Sequence, residues 1–278
     1  MTTTSTARAA GLLALALSLA ACAGGGGDAA APSPDPAPLP PGLVLQVAHT
    51  GGFTTPDELA ARLPVVSVYG DGRILTQGPQ IEIWPAPALP NVQVQQVGED
   101  VVRDLVQAAV DAGVEESGDL GDPPVADAPT TRFTLVTGGG TAVREVYALS
   151  ETPDDSVTPE QAEARTRLRG LVDELTSQTG PSEPYVPQTV AAVVQPHPGG
   201  DPELPQPDVA WPGPELPGTP LGAGLTCVSA TGREGADVLA AAASANALTP
   251  WVTPDGARWS VTFRPVLPHE TGCADLGR

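Results

Sequence analysis

Apolar positions along the chain recur every second residue in some stretches and every third or fourth in others, and these switches mark out the elements. Residues 43–49 (LVLQVAH) alternate and predict a first strand. Residues 54–63 predict a short helix, with Thr55 as its cap and Pro56 in the first turn, where the missing N–H costs nothing. Strands at 65–69 and 73–77 flank Gly70-Asp71-Gly72. Asp-Gly between β-rich runs marks a hairpin, because a tight turn needs positive φ. Residues 80–84 (QIEIW) predict a further strand with Ile81 and Ile83 on one face, ended by Pro85, Pro87 and Pro90.

The longer periods follow. Over residues 99–112, Val102, Leu105, Val106 and Ala109 share one helical face, Glu99 and Asp100 sit in the first turn, and Gly113 stops the helix. Residues 115–129 are polar and predict a loop. A second hairpin is expected at 131–136 and 141–149, around Gly138-Gly139-Gly140. Thr158-Pro159-Glu160-Gln161 is a capping box opening a helix to about residue 178, with Ala164, Leu168, Leu171, Val172 and Leu175 as its buried stripe. Residues 186–194 predict a strand. Residues 196–220 are Pro-rich with scattered acids and predict a linker or wrapping arm. Beyond it come a strand at 225–229, an Ala-rich helix at 236–247, and a third hairpin at 249–252 and 258–266 around Asp255-Gly256.

Strands joined by hairpins, with helices between the groups, predict an α+β fold. Its antiparallel sheet carries two main helices, and a smaller C-terminal strand–helix–hairpin segment is closed by a disulfide. The expected organisation is a leader at 1–21, a tether at 22–42, a main domain at 43–195, a linker at 196–220 and a C-terminal subdomain at 221–278.

The leader carries the most specific signal. Arg8 precedes an apolar run (GLLALALSL) that ends in Leu19-Ala20-Ala21-Cys22. The run is short of the roughly 20 residues that span a bilayer. It resembles a bacterial lipoprotein signal, with small residues before the cleavage point. That resemblance implies cleavage before Cys22 and a diacylglycerol on its sulfur. A plain secretory signal ending near Ala21 and a short uncleaved anchor are the competing readings. Gly24–Gly27 and the Pro-rich residues 31–42 then form a spacer, extended by about 3.1 Å per residue where it is polyproline-like.

Charge narrows the partners. The net charge of −20, from 33 acidic and 13 basic residues, becomes −21 once Arg8 leaves with the leader. Such a field repels nucleic acid and anionic headgroups, so neither is expected as a partner. Every basic residue is Arg. Without lysine the chain itself cannot supply Schiff-base catalysis, a Walker-type phosphate loop or Ser–Lys acylation.

Three cysteines are present. With Cys22 lipidated, Cys227 and Cys273 remain as an even pair, expected to form a disulfide outside the membrane. Two buried free thiols are the alternative.

Candidate chemistry is sparse. His269-Glu270-Thr271-Gly272-Cys273 begins like a zinc-hydrolase motif but ends in Cys, and a surface histidine beside a disulfide is the plainer reading. His49 and His197 lie far apart without ligand spacing. No serine has glycines two before and two after it, so the nucleophile elbow of the α/β-hydrolases is missing. For a hydrolase there remains a Ser/His/Asp site assembled by the fold, or two carboxyls that the fold brings to a fixed separation in a cleft. Asp71 lacks the calcium-loop ladder around it. No metal or other cofactor is expected. Trp84 and Trp211, each followed by proline, are candidates for an aromatic partner-binding edge.

The order VSVYGDGRIL, IxIWP, helix, DAPTTRF, together with the closing pattern Cys227…Trp251…Gly256…Arg264-Pro265-Val266-Leu267-Pro268…Cys273, resembles uncharacterised secreted lipoproteins of high-GC Gram-positive bacteria. That resemblance implies location and fold and transfers no activity. The expectation is a lipid-anchored extracytoplasmic protein, held to the membrane by its anchor, that binds an envelope protein or glycan. A cell-envelope hydrolase is the alternative. No motif specifies the partner or the oligomeric state.

Overall fold

The computed structural model describes residues 38–151 and 154–276. The leader, Cys22 and most of the tether lie outside them. From Leu39 onward the chain forms one compact unit with its own core.

Two sheets are filled one after the other. The first holds β1 (Leu43–Gly51), β2 (Val66–Tyr69), β3 (Arg73–Gln77), β4 (Val92–Gln96), β5 (Pro129–Thr137), β6 (Gly140–Tyr147) and β7 (Ser182–Pro184). Its order is β6-β5-β1-β2-β3-β4-β7, antiparallel throughout. The second holds β8 (Thr189–Pro196), β9 (Val209–Ala210), β10 (Thr219–Gly222), β11 (Leu225–Thr231), β12 (Trp251–Val252) and β13 (Arg258–Pro265). Its order is β10-β11-β8-β13-β12-β9, antiparallel except for the short β12–β9 pair. Among the described residues four α-helices, α1 (Pro56–Ala61), α2 (Glu99–Asp111), α3 (Pro159–Thr176) and α4 (Gly232–Ala242), complete the α+β fold.

Local chemistry explains most boundaries. Thr55 and Glu58 cap α1 reciprocally, and Thr158 and Gln161 do the same for α3. In the β2–β3 turn Gly72 has φ +89°, and a Cβ there would meet Val97 O at 2.4 Å, so only glycine fits.

Helices α2 and α3 cover one face of the first sheet. Val102, Leu105 and Ala109 of α2 and Leu168, Leu171 and Leu175 of α3 pack with Leu45, Val47, Phe133 and Leu135. Arg165, inside the α3 stripe, is also buried and donates to Leu120 O, Tyr147 O and Ala148 O. Arg144 likewise donates to Glu116 O and Gly118 O. Two arginines thus take up carbonyls of the polar loop, at Glu116, Gly118 and Leu120, and of the end of β6.

The second sheet is covered on both faces. Val190, Ala192 and Val194 of β8 face α4, Trp211 and Trp251. Ala191 and Val193 face Ala60 of α1, Val266 and Leu276. The disulfide joins Cys227 of β11 to Cys273 beyond β13, with Cα atoms 5.9 Å apart.

Three expectations need correction. Residues 80–84 form no strand: the free edge of β3 is taken by β4, whose Val92 and Val94 pack beneath the sheet. β8, assigned by sequence to the main domain, is the strand between β11 and β13 in the second sheet. The C-terminal residues therefore complete a sheet begun before the Pro-rich stretch. That stretch is no simple linker either, since it supplies β9, β10 and the buried Trp211 and Leu216.

Candidate functional site

Two concavities gather the chemistry-bearing side chains. The first is a groove of about 510 Å³ that includes Trp84, His197, Asp208, Leu248, Arg258 and Ser260. Trp84 reaches it from the β3–β4 loop. The base of that loop is tied to the segment after α4, through Ala88 N–H to Ala245 O (3.1 Å) and Ala247 N–H to Ala86 O (2.8 Å). Its tip is turned by Ile83 N–H donating to Ile81 O. The tip carries Ile81, Ile83 and Trp84, which are 62%, 56% and 75% exposed. Across the groove Arg258 pairs with Asp208 at 2.5 Å, and Ser260 Oγ lies 3.0 Å from His197 Nδ1. The β13–β8 pairing brings these two residues together, with Ser260 opposite Gln195 and His197 N–H donating to Arg258 O.

Trp211 does not join Trp84 at this edge. It is 8% exposed, stacked on Phe263 and edge-on to Trp251, with its indole N–H donating to Pro214 O. A buried tryptophan needs such an acceptor, and the adjoining Pro-rich turn supplies it.

The second concavity is a cleft of about 490 Å³. Its floor is the face of β1 and β5 opposite the helices, with Gln46, Ala48, Arg132 and Thr134. One wall is α1 and the residues after it, including Arg62; the other is the C-terminal turn, with His269 and Asp275. His49 borders it at the end of β1, but its side chain shares the helix face with Val47, opposite Thr131 of β5. The histidine side chain of the cleft is therefore His269.

Its wall is anchored by a buried ion pair. Arg264 meets Glu270 in a fork, Nη2–Oε1 at 2.7 Å and Nη1–Oε2 at 3.0 Å, and both side chains are almost wholly buried. Glu270 Oε2 also accepts from Leu267 N–H, and Arg264 donates further to Pro265 O and Arg62 O. This fixes the turn that presents His269.

His269 is held on both nitrogens. Gln46 Nε2 donates to His269 Nε2 at 3.3 Å, and the neutral ring then gives its Nδ1 proton to Tyr69 Oη at 2.8 Å. Gln46 also donates to Ser67 Oγ. Burial lowers the His269 pKa against the opposing pull of Glu270. Burial, reinforced by Arg62, also lowers that of His49, against Glu151. Burial pushes the Tyr69 hydroxyl well up, and Glu270 adds to that. Tyr69 is therefore a hydrogen-bonding phenol, not a source of charge.

The members of the His269-Glu270-x-x-Cys273 stretch are engaged separately: His269 with Tyr69, Glu270 with Arg264, and Cys273 with Cys227. Among the described residues no group of three or more His, Cys, Asp or Glu side chains is placed to hold a metal ion. Gly70-Asp71-Gly72 and Gly138–Gly140 serve as hairpin turns, and Asp71 is paired with Arg73. Cys22 lies outside the described residues. No described helix is long and apolar enough to cross a membrane.

Sequence reasoning did not single out Arg62, Arg132 or Ser260. They come from separate elements, and no motif links them. No protein-family model matches the chain, and no curated protein does so either.

Proposed function

We propose that the chain is a lipid-anchored extracytoplasmic lipoprotein that acts by binding an envelope protein or glycan. The observation that carries the binding reading is the apolar tip of Ile81, Ile83 and Trp84 beside the 510 Å³ groove. A large, stiff indole held out in water at the rim of a concavity presents apolar area at small entropic cost, as binding anchors do. The anchor itself rests on Leu19-Ala20-Ala21-Cys22 and on the resemblance to secreted lipoproteins of high-GC Gram-positive bacteria. Two acyl chains would make that attachment stable.

Affinity capture tests the binding reading. Immobilised protein beginning at Leu39 is expected to retain a saturable species from detergent-solubilised envelope or from cell-wall fragments, and Trp84→Ala is expected to lose it. Capture that is indifferent to Trp84→Ala would overturn the assignment of this surface. For the anchor, Cys22→Ala is expected to release the protein from the membrane fraction.

A hydrolase is favoured by one observation in the same groove, the 3.0 Å approach of Ser260 Oγ to His197 Nδ1. That is nucleophile–base distance. In this reading His197 takes the Ser260 proton as Oγ attacks an ester carbonyl, the alcohol leaves, and water then hydrolyses the acyl-serine. A fluorophosphonate probe decides it: labelling lost in both Ser260→Ala and His197→Gln supports catalysis, and an unlabelled wild type excludes a serine nucleophile of this kind.

A further inference from the structure

We propose that the cleft between β1, β5, α1 and the C-terminal turn binds the oxyanion group of a small polar molecule, a carboxylate or a phosphate, through Arg62 and Arg132. The site is separate from the Trp84 groove and does not rest on the binding function proposed for it.

The first argument is where the cationic side chains lie. The chain has 33 acidic residues against 13 arginines, yet Arg62, Arg132 and Arg264 all line this one cleft with His269. On so acidic a chain, such a concentration has to be placed by the fold.

The second argument is which charges are already satisfied. Glu270 is taken up by Arg264 and Leu267 N–H. Asp275 accepts from Thr271 N–H, Thr271 Oγ1 and Gly272 N–H. The acids of the cleft therefore serve to hold its wall. The two arginines are different. Arg62 uses Nη1 alone, donating to Gly51 O at 2.8 Å and His49 O at 3.5 Å. That fixes the guanidinium at the end of β1 and leaves Nε and Nη2 without a partner among the described residues. Arg132 stands on β5 opposite Ala48, one strand away. Its ion pair with Glu145 of β6 is loose, with Nε and Oε1 3.7 Å apart, too long for a hydrogen bond, and that carboxylate is more than half exposed to solvent, so the pair is weak and open to exchange.

The third argument is shape and surroundings. A guanidinium presents a planar fork that matches carboxylate or phosphate oxygens in pairs. The cleft's volume of about 490 Å³ falls within the usual small-molecule range of about 300–1,000 Å³ and exceeds a bare ion. On its floor the Thr134 hydroxyl can donate to the body of a polar ligand, and the Gln46 amide oxygen can accept from it, the Gln46 NH2 being engaged with Ser67 and His269. Partial burial strengthens each of these interactions relative to open water.

The chain supplies its own reporters. Of its three histidines, His269 presents its ring to the cleft, while His197 lies in the groove. Imidazole NMR signals of the protein from Leu39 onward are followed while malonate, inorganic phosphate or neutral malonamide is added at constant pH and ionic strength. Malonate, phosphate or both are expected to shift His269 saturably, with His197 still and malonamide inert. A response to malonate alone assigns a carboxylate ligand, and one to phosphate alone a phosphate. Arg62→Gln and Arg132→Gln are each expected to weaken binding by roughly tenfold or more. The unperturbed His197 signal verifies their fold, and Arg62→Lys is expected to bind between wild type and Arg62→Gln. The proposal is overturned if neither anion gives a saturable shift, if His197 moves in step with His269, or if both glutamine variants bind as wild type does.

Discussion

The two sheets hide their apolar strands in different ways. The first is covered by α2 and α3 on one face, and its other face stays open enough at β1 and β5 to floor a cleft. The second is packed on both sides, by α4 with two tryptophans and by α1 with the C-terminal turn. A sheet covered on one face writes its burial into the sequence as alternation, whereas one covered on both loses that signature. In β5 the burial alternates, through Thr131, Phe133 and Leu135. In β8 every residue from Val190 to Val194 is buried. Polar side chains survive on the open face, and there the cleft is built. The doubly covered sheet contributes its groove only at one end, where β8 and β13 run out into the Pro-rich loop.

The seam between the sheets is the sharpest place to test this division. Arg264 belongs to β13, yet it holds the turn that lies over the first sheet. Glu270→Ala leaves Arg264 buried without its counter-charge and is expected to cost about 3–5 kcal/mol in urea denaturation. A loss below about 1 kcal/mol would mean that its carbonyl partners suffice and that the seam is soft.

The disulfide lies within the second sheet's side of the molecule. Replacing Cys227 and Cys273 together by serine opens a loop with a sequence separation of 46 and is expected to cost about 2–4 kcal/mol. One cooperative transition should persist. Amide exchange that accelerates in β8, β11 and β13 while β1 and β5 stay protected would instead show two sheets that unfold independently.

A smaller effect is expected on the helix side of the first sheet. Thr158→Ala removes the side-chain half of the α3 capping box at a cost of about 1 kcal/mol, with no effect on anion-induced shifts in the cleft.

The smallest effect concerns pH. Burial holds His49 and His269 below the ordinary imidazole value of 6.5. Below about pH 6.5 the unfolded chain therefore binds more protons than the folded one. The contribution of these two groups is complete above that pH and is lost as pH falls through their depressed folded values. Thermal melts taken from neutral to mildly acid pH are expected to decline through this window, and His49→Gln or His269→Gln should each flatten the decline. An unchanged profile in both variants would show that neither imidazole resists protonation.

Much of the fold was legible one element at a time. The Gly70-Asp71-Gly72 turn, the Thr55 and Thr158 caps, the stripes of α2 and α3, and the pairing of Cys227 with Cys273 all follow from residues close in sequence or from a simple count. Of the candidate binding residues, Trp84 stands in water while Trp211 is core. Both are followed by proline, and nothing local separates them. The alternating residues 80–84 looked like a strand because pattern records which side chains share a face, not whether an edge is free to pair.

Taken alone, the sequence determined the hairpins, the capped helices, the acidic field and the absence of lysine chemistry, because these depend on composition or on neighbours within one turn. Tertiary structure decided that β8 belongs with strands across the Pro-rich stretch, that Trp211 is buried, and that Arg62, Arg132 and His269 meet in one cleft. Those three residues come from segments far apart along the chain. Only packing and strand register bring them together, and neither is encoded at any single position.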